Sequence, residues 1–212
     1  MKQGFLALAA IACVGTMPAA NAAGNFFVSG QVGQARYDDT DFDYTTARTH
    51  ALSGGYRWSV SPTIQVGVEG GFGKVGEVES QYHYGDGFAY VETGRVAVAA
   101  DYRHVGANAR FVIGEDSPWF AIARAGYMAY SVDAELYFEA RMDGALIDSY
   151  SESIRENGGG AYFGAGLGVE ITRNVSISAM YNGYAHSNLD DGEGIFEIGT
   201  ASTTTLGVEV RF

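Results

Sequence analysis

The chain is poor in cysteine, proline and positive charge: one Cys, three Pro and thirteen Lys or Arg among 212 residues. A single Cys excludes a disulfide framework and any Cys-based zinc site. Thirteen basic residues face 25 acidic ones, a formal charge of -12, so there is no cationic footprint for phosphates and no nucleic acid partner is expected. Beyond the N-terminus no stretch approaches the ~20 consecutive apolar residues of a membrane-spanning helix. Helical periodicity is equally scarce. The apolar fraction of 47% nevertheless exceeds that of a disordered chain, and the length suits one domain.

The first residues read as an export signal. Met1-Lys2 is a short positive start, Phe5 to Val14 is apolar, and Ala20-Asn21-Ala22 supplies the small residues that a signal peptidase requires. The expected cut follows Ala22, making residues 1–22 a signal peptide and 23–212 the mature domain. A lipoprotein cut before Cys13 is the rival. Ala10-Ile11-Ala12 lacks the usual Leu three residues before such a cut, and the apolar run ahead of it is very short. The ordinary cut removes Cys13, which suits an exported protein without thiol chemistry.

What recurs along the mature chain is period two, the mark of strands with one apolar face. Ala161, Phe163, Ala165, Leu167, Val169 and Ile171 alternate with Tyr162, Gly164, Gly166, Gly168 and Glu170. The next segment sets Val175, Ile177, Ala179 and Tyr181 against Ser176, Ser178, Met180 and Asn182. The last sets Leu206, Val208, Val210 and Phe212 against Gly207, Glu209 and Arg211. Five more segments, around Val28, Tyr56, Val66, Ala109 and Ala123, bring the expected strands to eight. Phe120 and Ile122 interrupt the polar face of the fifth.

The connections alternate in length. Ser59 to Pro62, Gly114 to Pro118 and Thr172 to Asn174 are tight turns. Long polar stretches lie between them, roughly Asp38 to Thr46, Gly76 to Asp101, Ser131 to Asn157 and Ala185 to Thr200. Short turns on one rim and long loops on the other are the pattern of a transmembrane β-barrel, and the second and third loops are long enough to continue as ribbons beyond the membrane. The expected fold is therefore all-β, an eight-stranded antiparallel up-and-down transmembrane β-barrel.

Alternation does not say which face points outward, since a soluble barrel would bury the apolar face. Three features favour the membrane. The polar face is rich in Gly and Ser, as a crowded lumen requires; Lys74 is the one Lys after the signal; and aromatic residues gather at strand ends, as interfacial girdles do. Arg57, Arg110, Arg124 and Arg211 then share the lumen with Glu69, Glu170 and Glu209, and a buried ion-pair network is expected among them. Such a plug of side chains argues against a narrow solute channel, because eight strands leave an interior just wide enough to be filled.

The final residues Thr205, Gly207, Val210 and Phe212 resemble the C-terminal assembly signal of bacterial outer-membrane proteins. More widely, Gly54-Gly55-Tyr56-Arg57-Trp58, Gly67-Val68-Glu69-Gly70-Gly71-Phe72, Phe163-Gly164-Ala165-Gly166-Leu167-Gly168-Val169-Glu170 and Asn174-Val175-Ser176-Ile177 resemble the small outer-membrane β-barrel family that includes the membrane domain of outer-membrane protein A. The resemblance implies an outer-membrane location, with outer-membrane lipids and lipopolysaccharide as surroundings. It also implies handling by periplasmic chaperones and the barrel-assembly machinery. No peptidoglycan-binding domain is expected after the barrel. Structural, adhesive, host-interaction and stress roles all occur in that family.

Most of the 25 acidic residues fall in the expected external loops, beginning with Asp38, Asp39, Asp41 and Asp43. The favoured reading is a solvated, self-repelling surface. Divalent cations bridging these loops to lipopolysaccharide phosphates are the alternative, although the segment lacks the Gly and final Glu of an EF-hand loop. A lipid A deacylase would need a Ser nucleophile beside a His base. His186 and Ser187 are adjacent, so on an extended strand they point to opposite faces. No catalytic residues, cofactor or metal site are expected. The sequence reads as a non-enzymatic surface barrel with acidic loops.

Overall fold

The computed structural model describes residues 24–37, 46–85, 89–114, 117–186 and 201–212. The signal segment, the Asp38–Asp43 run and residues 187–200 lie outside the described residues. Eight strands follow in chain order: β1 (Gly24–Tyr37), β2 (Thr46–Ser59), β3 (Ile64–Gly85), β4 (Tyr90–Val112), β5 (Trp119–Met142), β6 (Ala145–Glu170), β7 (Val175–His186) and β8 (Ala201–Arg211). Each pairs antiparallel with its neighbours, and β1 pairs with β8 from Phe27↔Arg211 to Tyr37↔Ala201, closing the barrel.

Closure follows from period two in an apolar surround. Along every strand one row of side chains turns out and the other turns in. Phe26, Val68, Val105, Leu167 and Leu206 are all more than half exposed on the outside. Arg57, Asn108, Ser176 and Thr205 are buried in the lumen. The outward aromatics form a band near the short turns, where Phe26 meets Tyr56 edge-on at 4.7 Å and Tyr56 meets Trp58 at 5.0 Å.

The short-turn rim is tightly tied. Val60 and Ser61 donate to Ile64 O, and Thr172 Oγ1 accepts from the N–H groups of Asn174 and Val175. The chain ends at this rim too: Phe212 N donates to Phe26 O and Arg211 N to Asn174 O.

At the opposite rim the strands separate into two classes. β1, β2, β7 and β8 have 14, 14, 12 and 11 residues, close to the ~9–11 needed to cross hydrocarbon. β3, β4, β5 and β6 have 22, 23, 24 and 26. Pairing of β2 with β3 stops at Val75, and β7 meets β6 only from Gly160 onward. The four long strands therefore leave the barrel together as a four-stranded ribbon. A bulge in β3 between Val75 and Val78 marks the departure, consistent with the local bending that an extra residue causes.

The stretch from Ser131 to Asn157, read from sequence as a long loop with ribbon-like flanks, is almost entirely ribbon. Its connection is the two-residue turn Asp143-Gly144, with φ of 52° and 80°. Positive φ at both central residues is the turn geometry that Asp-Gly favours in a hairpin.

Val68 lies mid-strand on the outer face, between Tyr56 of β2 and Ala107 of β4. Val68→Arg should cost about 2–4 kcal/mol when folding into bilayers is measured by urea titration, because the guanidinium must enter hydrocarbon. A cost below about 1 kcal/mol, the interfacial value, would show that this face does not meet acyl chains.

Candidate functional site

Two regions hold the chemistry-bearing side chains: the lumen and the ribbon. The seven lumen charges singled out in the sequence fall into two groups. Near the short-turn rim, Arg57 makes a two-pronged contact with Glu209, at 2.7 Å from Nη1 and 2.9 Å from Nη2, and its Nε donates to Asn108 Oδ1 at 2.6 Å. Glu170 Oε1 accepts from Arg110 Nη2 at 2.6 Å and Arg211 Nη2 at 3.0 Å. Arg211 Nε lies 4.0 Å from Glu209 Oε1, linking the two pairs.

Deeper in the barrel sit Arg124 and Glu69, 3.7 Å apart. Arg124 also donates to Asn182 Oδ1 from Nε at 2.9 Å and from Nη2 at 2.7 Å, and to Gln31 Oε1 at 3.2 Å. Glu69 Oε1 accepts from the Tyr162 hydroxyl at 2.9 Å, with His104 Nε2 at 3.9 Å. Asn182 passes the chain on to Thr203, and Thr205 donates to Gln31. Bidentate and charge-assisted contacts of this kind offset the desolvation of each ion.

Several lumen partners escaped the sequence reading. Phe120 and Ile122, which interrupt the polar face of β5, are buried inside. Phe120 serves the charge network, since the Arg110 guanidinium stacks 3.8 Å above its ring; Phe27 does the same for Arg57 at 3.9 Å. His104 stands alone in sequence, yet β4 sets it beside Glu69, Ser53 and Tyr162. Tyr162 can lie across the lumen because Gly106 and Gly126 are direct cross-strand partners. A Cβ on either would stand within 2.7 Å of the tyrosine. Gly-Tyr proximity across three strands leaves no local sequence signal.

The lumen is capped toward the ribbon by an apolar layer that includes Val75, Val78, Tyr102, Met128, Tyr162 and Tyr184. Below it a cavity of about 20 Å3 lies against Gln31, Arg57, Glu69, Arg124 and Glu209, room for roughly one water. Such a lumen holds its charges among closely packed side chains.

Of the acidic residues in the second and third stretches, the described ones sit on ribbon strands, except Asp143 in the turn. On one face Arg95 pairs with Glu77 at 3.0 Å and Glu79 at 2.9 Å, Arg155 pairs with Asp133 at 3.4 Å, and Arg141 pairs with Glu139. The Gln81 amide, followed by Arg95, holds the Glu79 carboxyl below its ordinary value. The expected self-repelling surface is thus largely paired on this face. On the other face Glu92 accepts from Tyr82 at 2.9 Å and Tyr90 at 3.0 Å, which raises both phenols above their usual range. Among the described residues, no group of three or more His, Cys, Asp or Glu is arranged to hold a metal ion. Asp86, Asp190, Asp191, Ser187, Asn188, Glu193, Glu197 and the side chain of His186 lie outside the described residues.

A closed eight-stranded barrel with a charged lumen and an apolar exterior is a transmembrane barrel. The chain belongs to the outer membrane protein beta-barrel domain family, which matches residues 6–212, and it resides in the outer membrane. Among solved structures it is similar to Ail, the attachment invasion locus protein of Yersinia pestis, at 19% identity and a TM-score of 0.50, covering 90% of this chain and 99% of that one. It is also similar to outer membrane protein OprG from Pseudomonas aeruginosa (10% identity, TM-score 0.48, 90% and 96% covered). Neisserial surface protein A is another such structure, at 12% identity and a TM-score of 0.47, with 90% and 98% covered. At 19% identity the likeness to Ail is one of fold. No curated protein gives a significant match.

Glu209→Ala leaves Arg57 buried without its carboxylate and should cost about 3–5 kcal/mol in urea unfolding from bilayers, whereas Arg57→Met with Glu209→Met should recover much of that loss. A double-variant cost equal to the sum of the separate Arg57→Met and Glu209→Met costs would show that the two side chains are not energetically coupled. In planar bilayers the purified barrel should give no stable conductance steps; resolved steps would mean that the lumen network opens.

Proposed function

We propose that this protein is a non-enzymatic surface barrel whose extracellular ribbon and loops make structural or adhesive contacts outside the cell. One observation carries the reading: β3 to β6 continue well past the length needed to span hydrocarbon, while the lumen they enclose is filled. Long loops of transmembrane barrels face the exterior. A filled lumen leaves that exterior surface as the place where the protein can meet a partner.

The hydrolase alternative rests on His186 and Ser187, and neighbours in sequence would point to opposite faces on any extended strand. Lipid A acyl-chain profiles should be unchanged by expression, and a shortened acyl pattern would replace this proposal with the enzymatic one.

The C-terminal residues are proposed to guide assembly. Thr205 and Gly207 face the lumen, whereas Val210 and Phe212 share the alternate row. Before β8 pairs with its neighbours, such an arrangement presents apolar and aromatic groups together on one side of the final strand for chaperones and the assembly machinery to engage. The signal peptide through Ala22 is proposed on its residue pattern.

A loop-by-loop deletion series tests the main reading. Replacing residues 78–98 or 133–155 with a short turn should leave the barrel folded and the envelope sealed while lowering adhesion or serum survival several-fold. If every deletion leaves adhesion and survival unchanged, the surface-contact role is wrong.

A further inference from the structure

The two faces of the ribbon differ in chemistry, and the difference is set by register. Val78 pairs with Val98, Val98 with Ala134, and Ala134 with Ile154, so these residues share the face that continues from the lumen. Farther out the same rows bring Tyr82, Tyr84, Glu92, Tyr150, Glu152 and Asp148 together. Arg95, Arg141 and Arg155, the three ribbon arginines, all fall on the opposite face, beside the carboxylates they pair with. Among the described ribbon residues the lumen-side face therefore has carboxylates and tyrosines with no cation.

These tyrosines are open to solvent: Tyr82, Tyr84 and Tyr150 are 48%, 58% and 54% exposed. The Tyr82 and Tyr90 hydroxyls fix the Glu92 carboxylate, and the Tyr150 hydroxyl fixes that of Glu152. Each carboxylate is thus held beside an aromatic ring. A planar guanidinium is suited to that pairing, because it stacks on a ring face while its N–H groups reach a neighbouring carboxylate. An ammonium uses the same two attractions less directionally. An anion would meet uncompensated negative charge, and a wholly apolar partner would strip water from carboxylates without replacing it.

We propose that the lumen-side face of the ribbon, centred on Tyr82, Tyr84, Glu92, Asp148, Tyr150 and Glu152, docks an arginine- and lysine-rich polypeptide segment of an external partner. This inference rests on the surface-contact role proposed above and names the class of partner for it. Charge complementarity selects the occupant: most carboxylates of the opposite face pair with arginines there, and those of this face have no arginine or lysine beside them among the described ribbon residues.

The test uses the full mature chain refolded in detergent micelles, with a fluorescent oligoarginine peptide as the probe and anisotropy at physiological ionic strength as the readout. Two triple variants remove the same charge from opposite faces. Glu92→Gln with Asp148→Asn and Glu152→Gln should weaken binding by about tenfold, whereas Glu77→Gln with Glu135→Gln and Glu139→Gln should change it by less than about twofold. Tyr84→Ala with Tyr150→Ala leaves net charge unchanged and should still weaken binding by about fivefold. Circular dichroism and heat-resistant gel migration verify that each variant is folded.

Equal weakening by the two triples would reduce the effect to net charge and overturn the proposal, as would absence of binding to the wild-type chain. Tighter binding after removal of residues 187–200 would identify the protein's own segment as the occupant and also overturn it. If the lumen-side triple abolishes peptide binding while cell adhesion persists, the cationic partner is wrong and the surface-contact role stands. Loss of both together supports the two.

Discussion

Hydrocarbon offers no hydrogen-bond partner to a peptide group, and every other feature of this fold is a response to that constraint. An unpaired N–H or C=O in the membrane costs several kcal/mol, so an antiparallel sheet can cross only if its first and last strands meet. The β1–β8 ladder, continued by Phe212 N to Phe26 O, supplies that meeting. Once the sheet is closed, alternation delivers one row of each strand to acyl chains and the other to a narrow lumen. The outside must then be apolar for the same reason that a soluble core is, and the lumen becomes the crowded place where polar side chains must satisfy one another.

Satisfaction in the lumen is achieved by sharing. Glu170 serves two arginines, Glu209 is gripped by one arginine and approached by a second, and Asn182 receives two N–H groups of Arg124 while donating to Thr203. Four arginines against three glutamates would be costly if each had to be neutralised alone. Aromatic faces add to this: Phe27 and Phe120 lie under the Arg57 and Arg110 guanidinium groups and attract them electrostatically. The result is a plug held by many mutually dependent contacts, of the sort that loses most when a single partner is removed.

The strand number and the two rows of each strand were legible from period two, because a two-residue repeat separates the rows without reference to any other strand; which row faces outward was legible only from the Gly and Ser of the polar face, the scarcity of Lys and the aromatic strand ends. Pairing was less legible. Nothing near His104 in the chain points to Glu69, and nothing near Gly106 points to Tyr162, since those contacts depend on strand register and on how far each strand is staggered around the barrel. Phe120 and Ile122 looked like faults in the alternation because the expected lumen was wholly polar. A lumen with arginines gains from aromatic surfaces, so the irregularity marked a real inward-facing apolar site. The third long stretch hid its turn in plain view: Asp143-Gly144 is a strong hairpin signal, but acidic composition drew attention to the loop and away from the alternation on either side of it.

Where the four long strands leave the membrane, the rule that governs their faces changes. Within the bilayer the outward row must be apolar; beyond it, the outward row meets water and becomes charged, with Glu79, Arg95, Glu135 and Arg141 taking the places that Val68, Val105 and Phe163 hold below. The lumen-side row loses its enclosure at the same level, having no opposing strands from β1, β2, β7 and β8 to fill the space in front of it. Apolar residues continue there through Val78, Val98, Ala134 and Ile154, and tyrosines beside carboxylates follow. A ribbon needed only to shield its own backbone could be polar on both faces. An aromatic row without arginine or lysine, on the side where β1, β2, β7 and β8 no longer stand opposite, is what the proposed contact role asks of this ribbon.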